Sequence, residues 1–226
     1  MKTLFFIVVL STVVFAQTYT VEKVRGEVFV QKGVSEEWIS VQKGMKLDKN
    51  DIVMTGEGAF LQLESGNKSF LLNADAALGL DRIKNIPLND LLLSLAREEL
   101  KRINIENKHP EIKNTAVYGS EVSGEESMSV DDNLLGERRL NGAYQLAKNG
   151  YKESAVLAAK ETFINYPYTL KLVDKRLFFV ELLDNLGLHY EAMDELKSIE
   201  KFVVNAEQAK IIKNMKDGIS AKIARD

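Results

Sequence analysis

From Val21 to Leu80 apolar and polar residues alternate, and the short apolar runs end at Gly, Asn and Asp. A period of two with turn residues at each break predicts strands. Val24, Val28 and Val30 flank Gly26, Trp38, Ile39 and Val41 follow a polar turn, and Ile52 and Val53 follow Lys49-Asn50-Asp51. The clearest hairpin sets Ala59, Leu61 and Leu63 on one face, turns over Glu64-Ser65-Gly66-Asn67, and returns through Phe70 and Leu72. Gly66 and Asn67 tolerate the positive φ of such a turn. Short strands at this spacing predict an antiparallel sandwich or a partly open barrel, not a parallel nucleotide-binding sheet. Between Pro87 and Ile103 the period lengthens: Leu88, Leu92, Leu95, Ala96, Leu100 and Ile103 form one helical stripe. Pro87 suits a first turn, and Asn89 and Asp90 suit its positive end. Such a helix covers an open face of the sheet or, alternatively, lies on a membrane surface or a partner.

The polar, acidic stretch from Ser123 to Asp132 has no apolar period and reads as a linker. Beyond it the chain repeats at an offset of 37, pairing Arg139 with Arg176, Leu140 with Leu177, Leu146 with Leu183, Gly150 with Gly187 and Ala155 with Ala192. Each copy predicts two helices around a Gly turn, with a small Ala that lets the pair cross closely. Asn205 can cap a last helix whose stripe is Ile212, Met215, Ile219 and Ile223. The expected fold class is therefore α+β in two domains. A mainly antiparallel β-domain spans 17–122 with an inserted helix at 87–103, the linker is 123–132, and a helical-hairpin domain fills 133–226.

Residues 1–16 carry one charge at Lys2, an apolar run from Leu4 to Val14 interrupted only by Ser11 and Thr12, and small residues at Val14 and Ala16. That is the pattern of a signal peptide, with cleavage expected after Ala16 and a mature chain starting at Gln17. As a helix, Leu4 to Ala16 would reach about 20 Å against a hydrocarbon core of about 30 Å, so a retained anchor is the poorer reading. An exported, periplasmic or envelope protein is expected.

Two resemblances follow from quoted positions. Gly26-Glu27-Val28, Trp38, Val41, Gly44, Leu47, Asp51, Val53, Thr55-Gly56, Ala59, Leu61, Leu63, Gly66, Ser69 and Leu72 are similar, in order and spacing, to the FecR-type periplasmic domain. Thr115 to Val122 resembles that family's later Ala-Val-Arg-Gly-Thr strand, with Tyr118 in place of Arg and Ser120 in place of Thr. The resemblance implies signalling or envelope assembly in a bacterial periplasm. FecR regulators also carry a sigma-factor-binding segment and a membrane span, for which Met1 to Thr3 leave no room, so direct sigma-factor control is not expected. The helical half resembles tetratricopeptide repeats through small Ala143, Val180, Ala155 and Ala192 and through Pro167. Its offset is three longer than that family's period of about 34 residues.

Among the 226 residues there is no Cys and there are two His, which excludes disulfides, thiolate metal sites and Cys nucleophiles. A formal charge of −3 offers no basic excess to a polyphosphate chain, so nucleic acid is not an expected partner. His109 stands before Pro110 in a loop and His189 in a hairpin turn, a pattern without metal-ligand spacing. Asp131 and Asp132 suit a helix N-terminus. Ser65 and Lys68 have the Ser-x-x-Lys spacing of penicillin-recognising acylases but sit in a hairpin turn, where no helix aligns them. Gly56-Glu57-Gly58 is half a phosphate loop without the following helix.

No cofactor and no metal is expected, and no catalytic residue is assigned. The stacked first helices form a groove that Glu137, Tyr144, Lys148, Asp174, Glu181 and Asp184 would face, either to meet a protein partner or as a solvated helix surface. The leading expectation is a non-enzymatic, exported protein-interaction module. Its alternatives are a peptidoglycan- or glycan-binding module, with Trp38 as a stacking platform rather than strand packing, and a hydrolase using Ser65 and Lys68.

Overall fold

The computed structural model describes residues 18–106 and 132–225. The leader, His109, Asp131, the segment 115–122 and nearly all of the predicted linker lie outside them. Eight strands come first: β1 (Thr18–Arg25), β2 (Val28–Gln31), β3 (Trp38–Ser40), β4 (Lys46–Asp48), β5 (Ile52–Thr55), β6 (Phe60–Ser65), β7 (Lys68–Leu72) and β8 (Ala77–Gly79). Six helices follow: α1 (Leu88–Glu106), α2 (Asp132–Lys148), α3 (Lys152–Asn165), α4 (Val173–Asn185), α5 (His189–Ile199) and α6 (Ala206–Ile223). The chain is thus mixed α+β.

The strands make two antiparallel four-stranded sheets, ordered β4-β1-β6-β7 and β3-β2-β5-β8. Alternation dictates which residues meet. Tyr19 and Val21 of β1, Leu61 and Leu63 of β6, and Phe70 and Leu72 of β7 point inward and are buried with Val28, Val30 and Val53 of the other sheet. A shift in register between Val21 and Lys23 keeps β1 in phase with β6 on both sides of the irregularity. The hairpin expected around Gly66 is present, pairing Ser65 with Lys68 across a two-residue turn in which Gly66 has φ +58°. Asp51, buried between loops, accepts hydrogen bonds from Lys32 Nζ (2.7 Å), the Asp48 amide (2.8 Å) and the Gly33 amide (3.1 Å). One carboxylate therefore ties the turns after β2 and β4 together.

The repeated segments form two helix pairs, α2 with α3 and α4 with α5, and their small residues Ala143, Ala155 and Ala192 are fully buried. Asn205 caps α6 by accepting the Gln208 amide at 2.8 Å, and Ile212 and Ile219 of the predicted stripe are buried. A buried charge cluster fixes the second pair. Arg176, 1% exposed, binds Glu195 through Nε (2.8 Å) and Nη2 (2.6 Å), and Lys160 of α3 binds the other carboxylate oxygen at 2.6 Å. The Arg176 guanidinium also donates to Ser198 and to the Leu170 carbonyl, and it lies 5.6 Å and 5.7 Å from the Phe163 and Phe202 rings.

Helix α1 packs chiefly on α3 rather than over a sheet face. Among its described side chains Leu91 is the fully buried one, flanked by half-buried Leu92 and Leu95, while Leu88 is exposed. Of the predicted stripe, Leu92 and Leu95 pack against the core, Leu88 and Ala96 are exposed, and the side chains of Leu100 and Ile103 lie outside those described.

Helix α2 joins the halves. On one face, Asn141 Nδ2 donates to the Asp75 carbonyl (2.6 Å), and Asn73 Nδ2 donates to Gln145 Oε1 (2.9 Å). On the next turn, Asn149 exchanges two bonds with Leu71, its Oδ1 accepting the amide (3.1 Å) and its Nδ2 donating to the carbonyl (3.0 Å). Leu71 belongs to β7, the end strand of its sheet, so the Asn149 amide takes the place of a missing neighbouring strand. Gly142, on the same face, meets β8: a Cβ there would stand 2.1 Å from the Ala77 carbonyl oxygen. One helix therefore covers an end strand of each sheet. Ser154 Oγ of α3 adds a bond to the Lys84 carbonyl (2.6 Å), Arg82 pairs with Glu161 (2.6 Å), and the Phe70 and Tyr151 rings meet at 6.1 Å. The buried apolar residues of strands and helices form a single cluster across this seam.

Candidate functional site

Side chains of α2 and α4, the first helices of the two pairs, meet at two of the six predicted groove residues, Glu137 and Tyr144. Glu137 pairs with Lys175 (3.2 Å), which also donates to Asn141 Oδ1 at 2.5 Å. Tyr144 stacks on Phe178 with ring centroids 4.5 Å apart, and Lys148 Nζ stands 5.2 Å from the Tyr144 ring. The second copy is different. Asp174 accepts from Gln208 Nε2 (3.1 Å), and Asp184 accepts from Lys222 (2.5 Å) and pairs with His189 Nδ1 (2.8 Å). Gln208 and Lys222 belong to α6, so the terminal helix satisfies the two aspartates from within the chain. Tyr144, 38% exposed, and exposed Lys148 and Glu181 remain open to a partner.

Trp38 is half-buried on β3, at the opposite end of its sheet from β8, and lines neither of the two cavities described next.

The larger cavity, about 730 Å³, opens at the seam between strands and helices. Gly79 of β8 and Asp81 and Arg82 of the turn after it form one wall, while Ala158 and Thr162 of α3 and the Tyr166-Pro167-Tyr168 turn form the other. Arg139 of α2 also lines the cavity. The turn packs this closely because α2 has no side chain at Gly136, where a Cβ would come within 2.2 Å of the Tyr168 hydroxyl and 2.7 Å of Tyr166 Cβ. Burial pushes the Tyr168 hydroxyl above its ordinary pKa. Arg82 is held between Asp81 (3.3 Å) and Glu161 (2.6 Å). Among the described residues Arg139 meets the Tyr166 ring, at 5.9 Å, and its Nε is buried without an acceptor.

The sequence marks Arg139 as a repeat position paired with Arg176 but assigns no site role to it, to Tyr166 or to Tyr168. A usable signal was there: Gly136 and Gly142 stand inside a helical period rather than at its end, which marks close packing against something.

The smaller cavity, about 210 Å³, does bring Ser65 and Lys68 together, with Tyr19, Lys84 and Tyr151 around them. Their spacing comes from the two-residue turn, which sets them opposite each other on β6 and β7. Ser65 Oγ donates its proton to the Thr18 carbonyl at 2.9 Å, so that hydrogen is directed at a backbone acceptor and not at an amine. Tyr19 lies against the Leu80 and Ile83 carbonyls (3.2 and 3.3 Å), and its pKa is pushed up to about 12, mainly by burial. A phenol held protonated there can donate but cannot serve as a base near neutral pH.

Among the described residues no three His, Asp or Glu side chains converge as a metal site, and no helix is long and apolar enough to cross a membrane. No protein-family model, curated protein or solved structure matches the chain.

Proposed function

We propose that this chain is a non-enzymatic, exported protein-interaction protein of a bacterial envelope. In this reading the two sheets are a FecR-like sandwich, the helix pairs are a short tetratricopeptide-like array, and the sandwich and α6 close the two ends of the stack. The observation that carries it is the Tyr144–Phe178 pair. An aromatic side chain locked by a neighbouring ring yet exposed, with Lys148 above it and exposed Glu181 three residues after Phe178 on α4, is preorganised contact area. Rigid tyrosines beside complementary charges anchor protein interfaces because little side-chain entropy is lost on docking.

The test is a photo-crosslinking benzoylphenylalanine placed at Tyr144 in the full chain, expressed with its leader in a bacterial envelope. The expected result is one discrete protein adduct that Glu181→Lys removes, on a mature chain beginning at Gln17. An absent adduct, or one indifferent to Glu181→Lys, contradicts the docking reading. An intact leader on the recovered protein contradicts export with cleavage.

A further inference from the structure

We infer that the seam cavity is a carboxylate site for an extended acidic peptide, with Arg139 as anchor and the outer edge of β8 as its backbone partner. The inference rests on the partner-binding reading and gives one partner segment its chemistry.

The internal repeat supplies the comparison. Arg139 and Arg176 occupy the same position in the two copies, 37 residues apart. In the second copy Glu195 claims the guanidinium through Nε and Nη2. The residue equivalent to Glu195 in the first copy is Ala158, and Ala158 lines the cavity. The first copy therefore keeps the arginine and lacks the acid, and space stands where the carboxylate would be. Arg139 has meanwhile lost hydration, since its Nε is buried without an acceptor among the described residues. A guanidinium stripped of part of its water and given no anion favours an incoming carboxylate more than a solvated one does. The other charges in the cavity are already answered, Asp51 by Lys32 and Arg82 by two acids.

The backbone points to a peptide. The Thr55 amide bonds to the Ala76 carbonyl and the Leu80 amide to the Asp51 carbonyl, so the hydrogen-bonded pairs of β5 and β8 fall at Ala76, Leu78 and Leu80. By antiparallel alternation the N–H and C=O of Ala77 and Gly79 face away from β5. Gly142 covers Ala77, whereas Gly79 lines the cavity. An extended segment can exchange bonds with Gly79 as strand addition requires, run past Tyr166, and bring an acidic side chain to Arg139. A volume of about 730 Å³ lies within the range of about 300–1,000 Å³ typical of ligand pockets.

The test titrates the full chain, labelled with nitrogen-15, with the blocked peptide Ac-Thr-Val-Glu-Val-Thr-NH2 and with its Glu-to-Gln counterpart. The Gly79 amide and Arg139 Nε–H resonances are expected to move saturably with the Glu peptide, and the Gln peptide to bind at least tenfold more weakly. Ala158→Glu, which restores the missing acid, is expected to abolish that preference. Asn165→Asp, at an exposed cavity position, is expected to weaken the Glu peptide alone, and it keeps the test decisive if Ala158→Glu does not fold. Equal binding of the two peptides, no binding, or saturation without a response at Gly79 overturns the proposal. If it fails while the Tyr144 adduct forms, only the cavity is lost; if the adduct is missing while the peptides discriminate, the α2–α4 docking face is wrong and the cavity stands.

Discussion

Gly142→Leu is expected to pull the helical half off the sheets. A Cβ at that position would stand 2.1 Å from the Ala77 carbonyl oxygen and 2.9 Å from its carbon, and a backbone oxygen in a strand cannot step aside as a flexible side chain can. Helix α2 must retreat, and with it the bonds of Asn141, Gln145 and Asn149 to the segment between Leu71 and Asp75. Their groups would be left to water or to nothing, and the end strands β7 and β8 would be uncovered. Overpacking typically costs about 1–3 kcal/mol, and a backbone obstacle across a whole seam puts this substitution at about 3 kcal/mol. For a chain of this length that is a fall in Tm of about 6–12 °C. Gly218 is the control. It sits in α6 with open space around its would-be Cβ, so Gly218→Ala is expected to stabilise by about 0.4–1 kcal/mol. Thermal melts of the two variants side by side separate close packing from helix propensity. Equal, small effects would mean that the seam is loose.

Glu195→Ala is expected to be at least as damaging. It leaves the Arg176 guanidinium buried between Phe163 and Phe202 without its carboxylate, and a stranded buried charge costs about 3–5 kcal/mol. Glu195→Gln, which keeps shape and some hydrogen bonding, is expected to cost less. Burial pushes the Glu195 carboxyl up, but Lys160 and Arg176 outweigh burial and hold it below the ordinary carboxylate range. A folded pKa below the unfolded one gives stability that is present above the unfolded value, about 4.3, and is lost as pH falls through the folded value. Urea melts between pH 7 and pH 3 check this. The wild-type chain is expected to lose stability below about pH 4.5, whereas Glu195→Ala starts lower and has a shallower acid limb. Parallel acid limbs would remove Glu195 from the acid response.

The elements were legible where burial follows period. Leu61, Leu63, Phe70 and Leu72 announced the β6–β7 hairpin by alternation, and the residues paired at an offset of 37 announced the two helix pairs. The seam was not legible. Asn141, Gln145 and Asn149 carried no expectation, because hydrophobic patterning is blind to an amide that replaces a strand at a sheet edge. In α1 the expected Leu92 and Leu95 pack against the core beside the more deeply buried Leu91, and no period within α1 encodes that its partner is α3. The aspartates at 174 and 184 matched the outward positions of a repeat, yet α6 folds back onto α4 and takes both. The cavity was partly within reach. The alignment that pairs Ala155 with Ala192 also sets Ala158 against Glu195 three residues later, and an arginine kept where its acid is lost is visible there without coordinates.

Both the exposed Tyr144 face and the Arg139 cavity depend on strands and helices being a single body joined through α2. Differential scanning calorimetry of the chain from Gln17 tests this most directly. One transition, with calorimetric and van't Hoff enthalpies equal, is the predicted result. Two separable transitions, the strands and the helices melting independently, would contradict it.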